Sequence, residues 1–143
     1  MVAGAEMASP RAAHTATLLK EGSVLVVGGC TLDGCEMSGE GATAEVYDPE
    51  TDAFATVSSM NTRRFKLPDA VATLAGGKVL VGGDGRHAEI YSPDSRTFRP
   101  VRGDMGSARA FAITVALEDG TALIAGGYDE NINPTNKTWV YMP

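Results

Sequence analysis

Arginines are the residues of this sequence whose type and recurrence could carry recognition chemistry. Arg11, Arg63, Arg64 and Arg109 lie in the segments that lead into three similar stretches of the chain. A guanidinium forms bidentate hydrogen bonds with planar anions, so converging arginines could bind a carboxylate or a sulfate. The alternative is that they bond to carbonyls of adjacent turns and join one stretch to the next. An arginine that recurs in every repeat is usually part of the repeat, which favours this structural role.

Loops that follow three apolar runs supply the other candidate ligand contacts. These loops cover residues 30–43, 84–87 and 128–137 and differ in length, whereas the segments around them do not. A repeat that keeps its scaffold and varies one loop is changing a surface. Asp84 and Arg86 in the second loop, with Tyr128 and Asp129 in the third, are therefore predicted to contact a ligand.

The sequence contains no catalytic or cofactor motif. It has no Gly-Xaa-Ser-Xaa-Gly, Cys-Xaa-Xaa-Cys, His-Glu-Xaa-Xaa-His or phosphate-loop pattern. Carboxylates gather in the same loops, but their spacing fits no calcium loop. We therefore predict no catalytic residue, no metal ligand and no cofactor.

Two cysteines, Cys30 and Cys35, fall in the first loop. They could form a small loop-closing disulfide, which would indicate an oxidising compartment. The alternative is two free thiols, because closing so short a loop adds little entropic stabilisation.

Composition and charge are typical of a soluble globular protein. They predict neither a nucleic acid nor a membrane as a partner. The formal net charge is −6 and the pI is near 4.8, so most of the surface would repel a phosphate backbone. No apolar stretch is long enough to span a membrane. The first six residues lack the basic start and apolar core of a signal peptide, and the sequence predicts no compartment.

Three apolar runs that each end in a glycine pair organise the chain. They cover residues 24–29, 79–83 and 122–127, and the pairs Gly28–Gly29, Gly82–Gly83 and Gly126–Gly127 align the repeats. A run of four or five apolar residues bounded by glycines is typical of a buried strand. The glycine pair indicates a sharp bend or a close approach of another segment.

Each repeat has four predicted strands, here called A to D. Strand A follows the arginine, strand B is the apolar run, strand C carries a tyrosine and strand D carries a phenylalanine. The tyrosine-to-phenylalanine spacing is the same for Tyr47 and Phe54 as for Tyr91 and Phe98. The predicted repeats are residues 7–59, 60–104 and 105–143, the third without strand D, and residues 1–6 resemble the tail of an outer strand.

This pattern resembles the kelch repeats of β-propellers. Phe54 and Phe98 stand where kelch motifs usually have tryptophan, but a ring is kept at the same spacing. The resemblance implies an all-β fold of three four-stranded antiparallel blades, about half a ring, with the last blade lacking its outer strand. It also implies that ligands bind at one end of a central channel, on the B–C and D–A loops.

A half ring would expose two apolar faces and unpaired strand edges. A homodimer that closes a six-bladed ring would cover them, with each N-terminus on the third blade of the partner. The alternative is that the chain is cut from a longer propeller protein.

The sequence therefore predicts a non-catalytic kelch-type binding or protein-interaction module. Its expected ligand is a protein, a carbohydrate or a small anion. The alternative is a fragment of a carbohydrate-related propeller enzyme, similar to galactose oxidase or to a sugar epimerase. A copper site of the oxidase type needs two histidines and two tyrosines that converge, but His14 and His87 fall on different predicted blades.

Overall fold

The computed structural model describes residues 1–30 and 39–143 of the chain. Over these residues it contains eleven β-strands, one short 3₁₀ helix at Gly39–Ala42 and no α-helix. The strands form three antiparallel sheets. The all-β class predicted from the sequence is therefore confirmed.

Each sheet is formed by strands that are consecutive in the chain. Sheet 1 has the order β1-β2-β3-β4, with β1 (Thr15–Leu18), β2 (Val24–Val27), β3 (Ala44–Asp48) and β4 (Ala53–Thr56). Sheet 2 has the order β5-β6-β7-β8, with β5 (Val71–Thr73), β6 (Val79–Val81), β7 (Glu89–Ser92) and β8 (Thr97–Pro100). Sheet 3 has the three strands β9 (Ile113–Ala116), β10 (Ala122–Ala125) and β11 (Thr138–Tyr141), and β10 is its central strand.

The same tight turn joins the first two strands of every sheet. In sheet 1 the Leu19 amide donates to the Ser23 carbonyl at 2.8 Å, and the Gly22 amide donates to the Leu19 carbonyl at 3.0 Å. Equivalent pairs of bonds recur at Leu74 in sheet 2 and at Leu117 in sheet 3. Because the turns are alike, side chains at matching positions of the three sheets have matching orientations.

Aromatic pairs link the third and fourth strands of sheets 1 and 2. Tyr47 lies opposite Phe54 with ring centroids 5.0 Å apart, and Tyr91 lies opposite Phe98 at 4.9 Å. Directly opposed rings contribute to sheet stability beyond the area they bury.

Aligning Gly82–Gly83 of sheet 2 with Gly28–Gly29 of sheet 1 is wrong by one residue, as the strand register shows. Val79 lies opposite Tyr91 as Val24 lies opposite Tyr47, which places Gly83 and Asp84 where sheet 1 has Gly28 and Gly29. The Asp84 amide donates to the Arg109 carbonyl at 2.8 Å, as the Gly29 amide donates to that of Arg64 at 3.0 Å. Asp84 has a φ of 49°, a conformation that aspartate tolerates better than most residues.

Two apolar cores hold the sheets together. Strands β1, β5 and β9 are neighbours, and Thr17 and Thr73 share a hydrogen bond of 3.2 Å between sheets 1 and 2. The first core joins sheets 1 and 2 and contains Leu19, Leu25, Val27, Ala44, Val46, Met60, Leu67, Ala70, Val79, Val81 and Tyr91. The second joins sheets 2 and 3 and contains Leu74, Leu80, Ala88, Ile90, Met105, Ala112, Ala122 and Ile124.

Residues 1–6 form no strand within this chain. The Ala5 amide donates to the Asp52 carboxylate at 3.1 Å, which places this segment against the turn between β3 and β4. Their assignment to an outer strand, like the domain boundaries, stays a prediction.

Candidate ligand-binding site

Arg64 is completely buried and bonds to three groups of its own repeat. Its Nη1 donates to the Gly83 carbonyl at 2.6 Å, and its Nη2 donates to the His87 carbonyl at 2.5 Å. Nη2 also forms an ion pair with Oε1 of Glu89 at 3.1 Å. These contacts tie the segment before β5 to the β6–β7 loop and to β7.

Glu89 receives several hydrogen bonds in addition to the ion pair. Both the backbone and the side-chain amide of Asn61 donate to its Oε2, at 2.7 and 2.8 Å, and the Thr62 amide donates to Oε1 at 3.0 Å. Burial raises the pKa of Glu89, but the Asn61 bonds and the Arg64 charge outweigh it and hold the pKa below its ordinary value. Glu89 is therefore an anion that fixes the incoming chain.

Sheet 1 repeats this arrangement with Arg11 and Glu45. Arg11 Nη2 lies 2.7 Å from Glu45 Oε1, and its Nη1 donates to the Gly28 carbonyl at 2.7 Å. The Ala8 amide donates to Glu45 Oε2 at 2.7 Å, as Asn61 does to Glu89. Both guanidinium groups thus bond to the protein, and we expect Arg11 and Arg64 to hold the loops in place rather than to contact a ligand directly.

Arg109 occupies the same position in sheet 3 but has a different partner. Trp139 stands where β3 and β7 carry glutamate, because Tyr141 lies opposite Ala122 as Tyr47 lies opposite Val24. The Arg109 guanidinium lies 5.4 Å from the centroid of the Trp139 ring. Among the described residues no carboxylate forms an ion pair with Arg109.

A shallow groove of about 370 Å³ brings several predicted site residues together. It is lined in part by Arg63, Arg64, Phe65, Asp84 and Arg86, and we call it the basic groove. Arg63 and Arg86 are exposed, whereas Arg64 is buried. The connection before β5 and the β6–β7 loop therefore both line the basic groove, at one end of sheet 2.

Asp84 shapes the chain beside the basic groove. Its Oδ2 accepts hydrogen bonds from the Phe65 amide at 2.7 Å and from the Lys66 amide at 3.2 Å. The strand β5 begins farther along the chain from Arg64 than β1 begins from Arg11, so residues 65 and 66 belong to a longer connection. Asp84 thus fixes the backbone of Phe65 and Lys66 and also lines the basic groove, and its contact with a ligand stays a prediction.

Three aromatic rings and one lysine form a cluster next to the basic groove. Lys66 Nζ lies 4.9 Å from the ring centroid of Phe65 and 5.3 Å from that of Tyr128. The Phe111 ring lies 5.7 Å from Tyr128, and the Phe111 amide donates to the Lys66 carbonyl at 3.2 Å. Phe65, Lys66, Phe111 and Tyr128 are here called the aromatic cluster, and Phe65 also lines the groove.

Phe111 has a backbone conformation that is rare for a bulky residue. Its φ is 57°, in the left-handed region, and 46% of its surface is exposed. A phenylalanine held at positive φ costs free energy and leaves an apolar ring in water, a combination that is frequent at functional sites. Of the aromatic cluster, the sequence predicted only Tyr128.

Asp129 has a role within its own loop. Its Oδ1 accepts the amides of Asn131 and Asn133, each at 3.0 Å. These bonds, the one from Asn133 first, hold the pKa of Asp129 below its ordinary value. Asp129 therefore stabilises the β10–β11 loop that carries Tyr128.

Arg86 forms a bidentate ion pair with Asp104 at the surface. Arg86 Nε donates to Asp104 Oδ1 at 2.8 Å and Nη2 donates to Oδ2 at 2.6 Å, while the Gly106 amide donates to Oδ1 at 2.7 Å. The Arg86 bonds first, with the Gly106 amide second, lower the pKa of Asp104 to about 2. A ligand carboxylate that reaches Arg86 would compete with this aspartate.

Replacing Arg86 by methionine should raise the pKa of Asp104 toward its ordinary value of 3.8. The Gly106 amide remains in R86M, so the pKa should stay somewhat below that value. Carboxyl-carbon NMR titration measures it, with Asp129 as internal control because its hydrogen bonds do not involve Arg86. An Asp104 that already titrates near 3.8 in the unmodified chain would contradict the ion pair.

Cys30, His14 and His87 do not line the basic groove. Cys30 is buried, while Cys35 lies outside the described residues, so the pairing of Cys30 with Cys35 stays a prediction. His14 precedes β1, and burial first and Arg11 second hold its pKa below the ordinary value. His87 lies in the β6–β7 loop, where its Nδ1 is 2.5 Å from the Gly103 carbonyl.

The described part of the chain holds neither a grouped set of metal ligands nor a membrane-spanning helix. Within residues 1–30 and 39–143, no three histidine, cysteine or acidic side chains are grouped as a metal ion requires. No helix over these residues has the length and apolar character to cross a bilayer.

No protein family model matches the chain, and no curated protein matches it.

Proposed function

We propose that this chain is a non-catalytic binding module made of kelch-type propeller blades. Three successive sheets with matching turns, matching register and shared cores support the propeller architecture. Its ligand site is the aromatic cluster together with the adjoining basic groove. The observation that carries this proposal is the Lys66 ammonium, which lies 4.9 Å from the Phe65 ring centroid and 5.3 Å from that of Tyr128, close to an exposed Phe111 at positive φ.

The chemistry of the site favours a small acidic sugar as the ligand. Lys66 places a positive charge in the aromatic cluster, in a chain whose net charge is −6, so an anion is attracted to this position. Lysine contributes a charge-assisted hydrogen bond to a carboxylate. The exposed ring of Phe111 offers an apolar surface to the C–H face of a sugar ring.

Lys66 is expected to contribute most of the selectivity for the acid over the neutral sugar. Replacing it by methionine keeps the length of the side chain and removes the charge. A lost charge-assisted hydrogen bond is worth about 1.5–3 kcal/mol, so we expect affinity for D-glucuronate to fall roughly tenfold or more in K66M. NMR titration of the unmodified chain and K66M with D-glucuronate measures the change.

Two controls make the titration decisive. Lys78 is exposed on the turn that leads into β6, away from the cluster, and K78M should bind as the unmodified chain does. D-Glucose should bind more weakly than D-glucuronate. Equal binding of both sugars, or equal affinity of K66M and K78M, would rule out this site.

A further inference from the structure

The outward face of sheet 3 carries side chains that sheets 1 and 2 bury. Leu19, Leu25 and Val46 of sheet 1 pack against sheet 2. Their register equivalents in sheet 2, which pack against sheet 3, are Leu74, Leu80 and Ile90. The equivalents in sheet 3 are Leu117, Leu123 and Val140, and 55% of Val140 is exposed.

Strand β9 extends this exposed face with alternating apolar residues. Ile113 and Val115 alternate along β9, Leu117 directly follows the strand, and all three are exposed, Val115 at 48%. With Val140 they form what we call the sheet 3 face. A contiguous group of large apolar side chains in water indicates an interaction site.

Packing within the chain shows which kind of surface covers such a face. Sheet 2 covers sheet 1 with Val79, Val81 and Tyr91, and sheet 3 covers sheet 2 with Ala122, Ile124 and the partly buried Tyr141. The register equivalents of these residues in sheet 1 are Val24, Val26 and Tyr47.

Sheet 1 therefore presents a covering surface at the other end of the described fold. Leu18 belongs to it, because its register equivalent Thr73 contacts sheet 1 from sheet 2, and 64% of Leu18 is exposed. Val24 and Tyr47 are half-buried and Val26 is buried. We call Leu18, Val24 and Tyr47 the sheet 1 face.

The N-terminal segment repeats a second contact between sheets. After β4, the Ser58 amide donates to the Arg96 carbonyl in the β7–β8 turn at 3.3 Å. The Ala5 amide donates to Asp52 in the corresponding β3–β4 turn, and Asp52 and Arg96 share a positive φ, 48° and 53°. Ala5 thus contacts sheet 1 at the turn that corresponds to the one Ser58 contacts in sheet 2.

We propose that two copies of this chain associate head to tail, with the sheet 3 face of each copy on the sheet 1 face of the other. The contact made twice closes the pair and leaves neither face in water. It also brings the N-terminal segment of one copy beside β11 of the other, whose outer edge has no strand partner among the described residues. This inference does not depend on the ligand proposed above.

Light scattering on a size-exclusion column tests the pair with the 143-residue chain. We expect the mass of two chains, each 14.9 kDa. Val115→Asp places a charge in the contact and should raise the dissociation constant about a hundredfold or more. Ile132→Asp is the matched control, because Ile132 is an exposed apolar residue of the β10–β11 loop outside both faces.

Leu18→Asp separates head-to-tail pairing from pairing of two sheet 3 faces. Head-to-tail pairing requires that L18D dissociates as V115D does, and that a mixture of the two variants recovers two-chain particles through the one intact contact. A monomeric unmodified chain, a mass above two chains, or an L18D variant that stays paired would each overturn the proposal. Circular dichroism of each variant verifies that its sheets are retained.

Discussion

Replacing Arg64 by methionine should lower the free energy of unfolding by about 3–5 kcal/mol. The substitution leaves Glu89 charged in the interior without its cation, and the carbonyls of Gly83 and His87 lose their guanidinium donor. A buried charge without a partner costs far more than the original pair contributes. Urea denaturation at pH 7, followed by circular dichroism, measures the loss.

Arg102→Met is the control for this change, because Arg102 is exposed at the surface. A surface substitution of this kind should change stability by no more than about 0.5 kcal/mol. Arg109→Met is a second comparison: Arg109 faces Trp139 instead of a carboxylate, so its loss leaves no orphan charge and should cost only about 1 kcal/mol. Equal losses for R64M and R109M would contradict the role assigned to Glu89.

The decrease in the free energy of unfolding that R64M causes should also depend on pH. In the unmodified chain the pKa of Glu89 is lowered, so its ionised form contributes stability above the ordinary value of 4.5. That contribution is lost as the pH falls through the lower value of the folded state. Without Arg64 the carboxyl can be protonated at higher pH, and the difference between R64M and the unmodified chain should shrink below pH 5.

The strands could be predicted from the sequence because their signals are local. Val24–Val27 is an apolar run between a turn glycine and a glycine pair, and the structure has β2 over those residues. Tyr47 and Phe54 keep their spacing because a tight turn places them opposite each other. Neither inference required knowledge of distant segments.

The ion pairs could not be predicted from alternation along a strand. Glu45 lies on a strand next to an apolar residue, and this alternation predicts that its side chain faces water. In the structure Glu45 forms an ion pair with Arg11, which belongs to a distant connection. The available signal was that an arginine and a glutamate recur together in the first two repeats. Trp139 replaces the glutamate in the third repeat, which conceals that signal.

The aromatic cluster was missed for a similar reason. Phe65 and Lys66 lie in a connection that has no periodicity, and Asp84 from another loop fixes their backbone. Nothing in the sequence separates Phe111 from the apolar residues of β9 that follow it, whereas its positive φ keeps it outside that strand. Only the tertiary contacts bring these residues to Tyr128.

Gly28→Ala should lower the free energy of unfolding by about 3 kcal/mol or more. A Cβ at Gly28 would lie 2.5 Å from the Arg64 carbonyl oxygen and 2.6 Å from Leu67 Cδ1, at a φ of +69°. The carbonyl cannot move away freely, because it accepts the Gly29 amide at 3.0 Å. Sheets 1 and 2 meet at this point, so the clash would separate them.

Two other glycines separate the cost of backbone strain from the cost of the steric clash. Gly22 has a φ of +96° with no atom within 4 Å of a Cβ, so G22A adds only backbone strain, about 1–2 kcal/mol. Gly76 has neither positive φ nor a close neighbour, and G76A should leave stability unchanged or raise it by up to about 1 kcal/mol. Urea denaturation of the three variants should give the order Gly28, Gly22, Gly76 from largest to smallest loss. If G28A and G22A lost the same amount, backbone strain alone would explain both, and sheets 1 and 2 would not be in close contact at Gly28.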